Sequence, residues 1–200
     1  MALWIEPPIL EGKSVRLSPI REDQSSLLWE AAAYKEIWEF TASKIFSLEE
    51  MKADTRKAAD LVKEGKQLAF SVGLKESGRL VGSTRYLDIL PENKTLEIGS
   101  TWYTPEVWRT SVNTECKFLL LRHAFEIWDM NRVQLKTDSR NIRSQEAIER
   151  LGAVKEGILR KDRIIADGYA RNTVYYSILK EEWPQVKERL IQKLNIIYPI

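Results

Sequence analysis

The sequence predicts one domain, residues 1–200, of mixed α+β or α/β class, and three observations carry that prediction. Three strand-like runs between Leu68 and Tyr103 follow one another with turn chemistry between them, the pattern of a meander. A strand-helix-strand-helix unit comes next, with a long and strongly apolar first helix. Two further strand-like runs then flank Ala166-Asp167-Gly168, which is hairpin chemistry. Helices at the start and strands and helices mixed afterwards pack as layers on a single sheet.

The elements follow in order. Val15-Arg16-Leu17 alternates and stops at Pro19, a first strand. Arg21 to Tyr34 reads as helix, with Leu27, Leu28 and Ala31 as its apolar stripe. Glu36 to Phe46 is irregular and aromatic. Ser47 stands three residues before Glu50, a capping-box spacing that opens a helix running to about Gly65. Leu68 to Leu74 and Leu80 to Ile89 are strands joined through Glu76-Ser77-Gly78-Arg79. Thr95 to Tyr103 is the third strand, with Leu96 and Ile98 on one face and Thr95 and Glu97 on the other, and Thr104-Pro105 stops it. Asn113 to Trp128, including Phe118 to Leu121, Phe125 and Ile127, is apolar nearly all round and reads as a helix buried between layers. Arg132 to Thr137 is a short strand. Asn141 caps a helix with Ala147, Ile148 and Leu151 inward and Gly152 as its stop. Val154 to Ile165 and Tyr169 to Leu179 form the hairpin, and Glu182 to Leu194 is the last helix.

Composition excludes several functions. Net charge is +2 with acids and bases mixed along the chain, which disfavours a nucleic-acid binder. Salt-dependent binding through Arg140, Arg143, Arg150 and the Arg160–Arg163 hairpin is the reading that RNA titration would test. Cys116 is the single cysteine and His123 the single histidine, so no disulfide, thiol cluster or multi-histidine metal site is expected. Seven residues of helix separate that pair by ~10.5 Å along the axis, too far for a nucleophile and its base. Met1 to Gly12 lacks the pattern of a secretory signal, and no run reaches the ~20 apolar residues of a membrane span, so a cytoplasmic protein without membrane contact is expected.

Two stretches carry the chemistry. Trp108-Arg109-Thr110-Ser111-Val112-Asn113 enters a helix and offers hydroxyls, an Arg and unpaired backbone N–H groups, with Thr114 just inside. Such a helix start suits a phosphate, and an ordinary polar cap has the same composition. Asn141 and Ser144 place an amide and a hydroxyl on one face of a first helical turn; an N-cap alone accounts for them equally well. Glu97 reads either as a carboxylate base in an apolar cleft or as an exposed strand residue, with Asp88 as a weaker rival.

Leu96-Glu97-Ile98-Gly99, Trp108 through Glu126 (WRTSVNTECKFLLLRHAFE) and Thr137 through Ala153 (TDSRNIRSQEAIERLGA) resemble the acetyl-CoA core of GNAT-type N-acetyltransferases. The branch they resemble is that of the ribosomal-protein N-terminal (alanine or serine) acetyltransferases. The resemblance implies a mixed, mostly antiparallel sheet of six to seven strands with helices on both faces. It implies acetyl-CoA as cosubstrate, no metal, and transfer to a primary amine by direct attack in a ternary complex. The acceptor would be a protein N-terminus or a small molecule. Matched to the superfamily motif Gln/Arg-x-x-Gly-x-Gly/Ala, Trp108 stands first, Ser111 at the first glycine and Asn113 at the last; branch members often read Trp-Gly-Thr-Gly-Val-Asn, so Arg109 and Ser111 depart from glycine. The resemblance gives Trp108 to Thr114 and Asn141 a cofactor-binding role. It gives backbone near Trp102 and Tyr103 the thioester carbonyl, Ser144 the departing thiolate, and Glu97 the amine proton.

The acceptor walls would come from Glu36, Trp38 and Phe40 and from Arg160, Arg163, Asp167 and Tyr169. Tyr175 and Tyr176 either supply an acid near the thiolate or alternate, one ring in the core and one out. A coenzyme A-binding module with little or no catalysis, acting in regulation or interaction, is the alternative raised by the altered loop. A homodimer is left open by the apolar surface of a Trp-rich chain.

Overall fold

A computed structural model describes residues 7–196; residues 1–6, part of the stretch read for a signal, lie outside them. Among the described residues eight strands form one sheet: β1 (Leu10–Glu11), β2 (Val15–Pro19), β3 (Leu68–Leu74), β4 (Leu80–Leu90), β5 (Thr95–Tyr103), β6 (Arg132–Asp138), β7 (Val154–Ile164) and β8 (Ala170–Leu179). Their order is β1-β2-β3-β4-β5-β6-β8-β7, antiparallel throughout except for the parallel pair β5–β6. The strand beyond the expected seven is β1, whose two residues are too few to show alternation.

Five α-helices are described: α1 (Ser25–Ala32), α2 (Leu48–Lys63), α3 (Val112–Arg122), α4 (Ile142–Glu149) and α5 (Trp183–Leu194). Around α1 and α2 a core of Leu28, Met51, Ala58, Trp38 and Trp102 covers one face of the sheet. On the other face α3, α4 and α5 share a larger core with Leu17, Phe70, Tyr86 and Val133. The first helix is shorter than its periodicity implied, because Glu22–Gln24 form a 3-10 turn, with Gln24 Oε1 accepting from Arg21 N–H at 3.0 Å. Leu27 is exposed; the buried stripe is Leu28, Ala31 and Ala32, the i, i+3, i+4 set. The Ser47 cap forms, with its Oγ accepting from Glu50 N–H at 3.2 Å, but the return arm of Glu50 accepts from Phe46 N–H rather than from Ser47.

The long apolar helix is buried all round through α3 and then widens into a π-helical turn, His123–Ile127. That turn leaves Ile127 exposed, while Trp128 returns to the core. The Tyr86 hydroxyl pins sheet to helix by donating to the Leu120 carbonyl at 2.6 Å.

Two irregularities position the site. β5 and β6 pair only from Thr95↔Arg132 to Glu97↔Gln134, and both strands then continue without pairing to each other. Between β4 and β5 the register passes from Arg85↔Gly99 to Ser83↔Trp102, so Ser100 and Thr101 stand opposite one residue, a β-bulge. Ser100 takes φ 46° there. The extra residue reverses the alternation: Glu97 and Gly99 face the α1–α2 side, whereas Thr101 meets Lys117 of α3.

Candidate active site

The splayed ends of β5 and β6 open a cavity of about 390 Å³ that runs from Trp38 and Phe40 on one face of the sheet to Lys117 on the other. Bulge residues Gly99 to Thr101 and Leu135 to Asp138 form its walls.

On the α3 side, two helix starts converge. Asn113 and Thr114 line the cavity, and no partner for their backbone N–H groups is found among the described residues. Free N–H groups at the positive end of a helix suit a diphosphate. Asn141 caps α4, its Oδ1 accepting from Ser144 N–H at 3.0 Å, and both residues line the cavity. The N-cap role of Asn141 is therefore real, and its amide NH₂ stays available as a donor. Arg109, Arg143 and Arg150 also line the space. Arg143 lies over the Trp108 ring at 3.7 Å, and Trp108 Nε1 donates to the Tyr103 carbonyl at 2.8 Å, tying the loop to the end of β5.

Other members of the loop serve its shape. The Thr110 hydroxyl donates to Val107 O at 2.7 Å and accepts from Val112 N–H at 3.3 Å. Val112 buries its side chain in the core, so a contribution to binding could come only from its backbone, whose N–H is already taken. Ser111 is exposed and lies in the right-handed region (φ −72°), where serine replaces glycine without strain. Arg109 is the strained position, with φ 63°. Arg109→Gly is expected to leave folding stability equal or raise it by about 0.5 kcal/mol, because relief of a left-handed side chain slightly exceeds the entropy that glycine adds to the unfolded chain. Urea denaturation measures this, and a clear loss of stability would mean that the Arg109 side chain holds the loop.

On the α1–α2 side, Glu97 is buried, with Lys136 Nζ at 2.5 Å and Gln134 Nε2 at 3.4 Å. Burial raises its carboxyl above the ordinary 4.5, outweighing the opposing pull of Lys136. Burial works against the charge on Lys136 as well, but the bond to Glu97 holds its ammonium above the usual value. The exposed-strand reading of Glu97 thus gives way to a buried carboxylate on the cavity wall. Asp88 is the exposed one, 3.6 Å from the same lysine. Trp102 packs on Trp38 with ring centroids 5.6 Å apart, and Phe40 and Arg163 also reach the cavity. Glu36, Arg160, Asp167 and Tyr169 do not line it; Tyr169 stacks under Arg140 at 3.7 Å instead.

The cavity gathers four cations that sequence reasoning missed: Arg85, Lys117, Lys136 and Arg171. Lys117 had a signal, as a lone lysine inside an apolar helix. It is buried, donates to Thr101 Oγ1 at 2.6 Å, and burial pulls it down to about 8. The others sit on strands whose neighbours only the pairing reveals.

Cys116 and His123 are packing residues. Burial pushes the thiol up to about 12, and His123, lowered to about 4, packs edge-on against Trp128. Tyr176 is in the core, bonded to Glu149 at 3.0 Å, while Tyr175 is half-buried beside Lys136, the alternating arrangement. Of the arginines read for nucleic acid, three are ion-paired: Arg140 with Asp138, Arg150 with Glu146 and Arg163 with Asp162. No group of metal ligands occurs among the described residues, and none of their helices is long and apolar enough to cross a membrane.

A family model described as an acetyltransferase (GNAT) domain matches residues 14–154, most of the chain and all of the cavity except the residues contributed by β7 and β8. The chain belongs to the GNAT acetyltransferase family. Among solved GNAT structures it is similar to a "putative acetyltransferase" from T. thermophilus, with 37% identity, TM-score 0.87, and 96% of this chain and 100% of that one covered. It is also similar to a GCN5-related N-acetyltransferase from Brucella melitensis, with 29% identity, TM-score 0.87, and coverage of 94% and 85%. The "Putative ribosomal N-acetyltransferase YdaF" of Bacillus subtilis (strain 168) is 33% identical over 111 residues, 56% of this chain. That match spans 60% of the curated relative's length. The GNAT fold agrees with the expected mixed sheet, enlarged by β1.

Proposed function

We propose that the chain transfers an acetyl group from acetyl-CoA to a primary amine by direct attack in a ternary complex. The observation that carries this is the open gap between β5 and β6, with free helix-start N–H groups on one side and a buried carboxylate on the other. Asn113 and Thr114 N–H groups, with Arg109, Arg143 and Arg150, suit a diphosphate, and Asn141 suits the pantetheine arm. The cosubstrate supplies an activated acyl thioester. Backbone N–H groups of β5 near Trp102 and Tyr103, on the stretch of the strand beyond its pairing with β6, polarise its carbonyl. Glu97 takes the proton of the incoming ammonium, directly or through one water, and Ser144 Oγ donates to the departing thiolate.

Lys136 partly offsets the cost of burying the Glu97 charge, and both it and Gln134 meet Oε2, on one side of the carboxylate. The name of the B. subtilis relative supports a ribosomal protein N-terminus as one acceptor class, beside small amines. The strained Arg109 and the ion-paired Glu97 favour, as a second reading, a coenzyme A-binding module with little turnover. One experiment separates the two. Acetyl-CoA is titrated calorimetrically, and thiol release is then followed with a panel of peptides and small amines. Binding with amine-dependent thiol release supports the transferase; binding alone supports the module; absence of binding removes both.

A further inference from the structure

Arg171 on β8 is 7% exposed and lines the cavity, yet no hydrogen bond or ion pair to its guanidinium is found among the described residues, and its Nε is buried without a partner. The acids whose charge reaches it are engaged, Glu97 by Lys136. Asp138 is held by Arg140 through both carboxylate oxygens, at 3.0 and 2.7 Å. Asp162 accepts from the Thr173 hydroxyl at 2.8 Å and from Arg163 at 3.4 Å. Arg85 repeats the pattern: one nitrogen meets Asp54 at 2.5 Å, and its Nε is buried and unsatisfied. Burial, aided by Arg163, holds the Arg171 guanidinium below its ordinary value.

A buried guanidinium without a carboxylate or phosphate is costly, so its retention marks a place made for an anion. The anion is not the cosubstrate's diphosphate. Val174, Tyr176 and Ile178 of β8 enter the core shared with α3, so Arg171, Thr173 and Tyr175 point to the opposite, α1–α2 face. That is the face of Glu97 and Lys136. We propose that the amine acceptor carries a carboxylate, which Arg171 captures as a specificity-determining residue, while the amine lies at Glu97. This rests on the transferase reading of the gap and narrows its acceptor. Acidic peptide N-termini and free amino acids share the required chemistry. Polyamines and other polycations meet repulsion.

The test compares alanine with alaninamide, a C-terminally amidated pentapeptide beginning Ser-Glu with its amidated counterpart beginning Ser-Gln, and spermidine. Calorimetric binding to the protein loaded with coenzyme A is measured alongside acetyl transfer. The carboxylate member of at least one pair is expected to bind and react better by about tenfold or more, as a charge-assisted bidentate contact implies. Preference within the amino-acid pair or the peptide pair tells which source the site accepts. In Arg171→Gln that preference collapses through KM, while Arg171→Lys keeps part of it. The Gln variant's Tm is expected to be unchanged or higher, since an unpaired buried charge is removed. Equal binding of the charged and neutral members, tighter binding of spermidine, no binding of any carboxylate ligand, or a preference that survives Arg171→Gln overturns the proposal. If carboxylate ligands bind through Arg171 but no amine is acetylated, Arg171 stands as a carboxylate-binding residue, and the transferase reading falls together with the acceptor role.

Discussion

Glu97→Gln is expected to lower kcat by about 10²-fold or more while leaving acetyl-CoA affinity within about twofold. Glutamine is nearly isosteric and still offers Oε1 to Lys136, so the cavity wall keeps its shape while the proton acceptor is lost. The pH profile gives the sharper readout. Burial raises the Glu97 carboxyl, so in the wild type kcat/KM should rise with pH through a midpoint above the ordinary carboxylate value of 4.5. Below that midpoint the group carries its proton and cannot take another; above it the base is competent. In the Gln variant that limb should disappear, leaving only the rise from the amine's own deprotonation at higher pH. Turnover within threefold of wild type, with the acid limb intact, would remove Glu97 from the chemistry and leave the Glu97–Lys136 pair a structural one.

Gly82→Ala should damage both stability and cosubstrate binding. A Cβ on Gly82 would lie 2.3 Å from the Trp102 carbonyl oxygen and 3.1 Å from Tyr103 Cα. Neither is the movable end of a side chain, so the β5 backbone must shift. The expected cost is about 1–3 kcal/mol in folding, the range for overpacking a close contact. The displaced segment is the part of β5 beyond the bulge, proposed to hold the thioester carbonyl. Acetyl-CoA affinity and kcat should therefore fall together, more than a loss of stability alone would cause at a temperature where the variant is fully folded. Denaturant unfolding and calorimetric titration on the same variant decide it. Lost stability with intact binding and turnover would mean that the carbonyl is held elsewhere.

Much of the architecture was legible because it rests on local signals. Strand-like runs bounded by turn chemistry, two of them alternating, marked seven of the eight described strands, and the Asn141 and Ser47 caps form where their spacing placed them. The unbroken apolar run from Phe118 to Leu121 implied a helix buried on every side, and α3 is one. Errors arose where local patterns are degenerate. Leu27 and Leu28 are adjacent, and only packing chose Leu28 for the core. Ile127 left the core through a π turn that periodicity does not register. On the site, Asn113, Thr114, Asn141 and Ser144 were findable because helix starts announce themselves by composition, and all four line one cavity. Glu97 was named but could not be separated from a surface glutamate until its partner, Lys136 on β6, was known.

The amino-acid sequence by itself determined the identity of the elements, the two helix starts and the family resemblance, since each depends on residues near one another in the chain. Tertiary structure alone decided where β5 and β6 part, which way the bulge turns Glu97 and Thr101, and that Arg85, Lys136 and Arg171 converge on one face. The physical reason is that strand register is set by long-range pairing. A single inserted residue reverses every side chain after it, and no local window of sequence records which strand lies alongside.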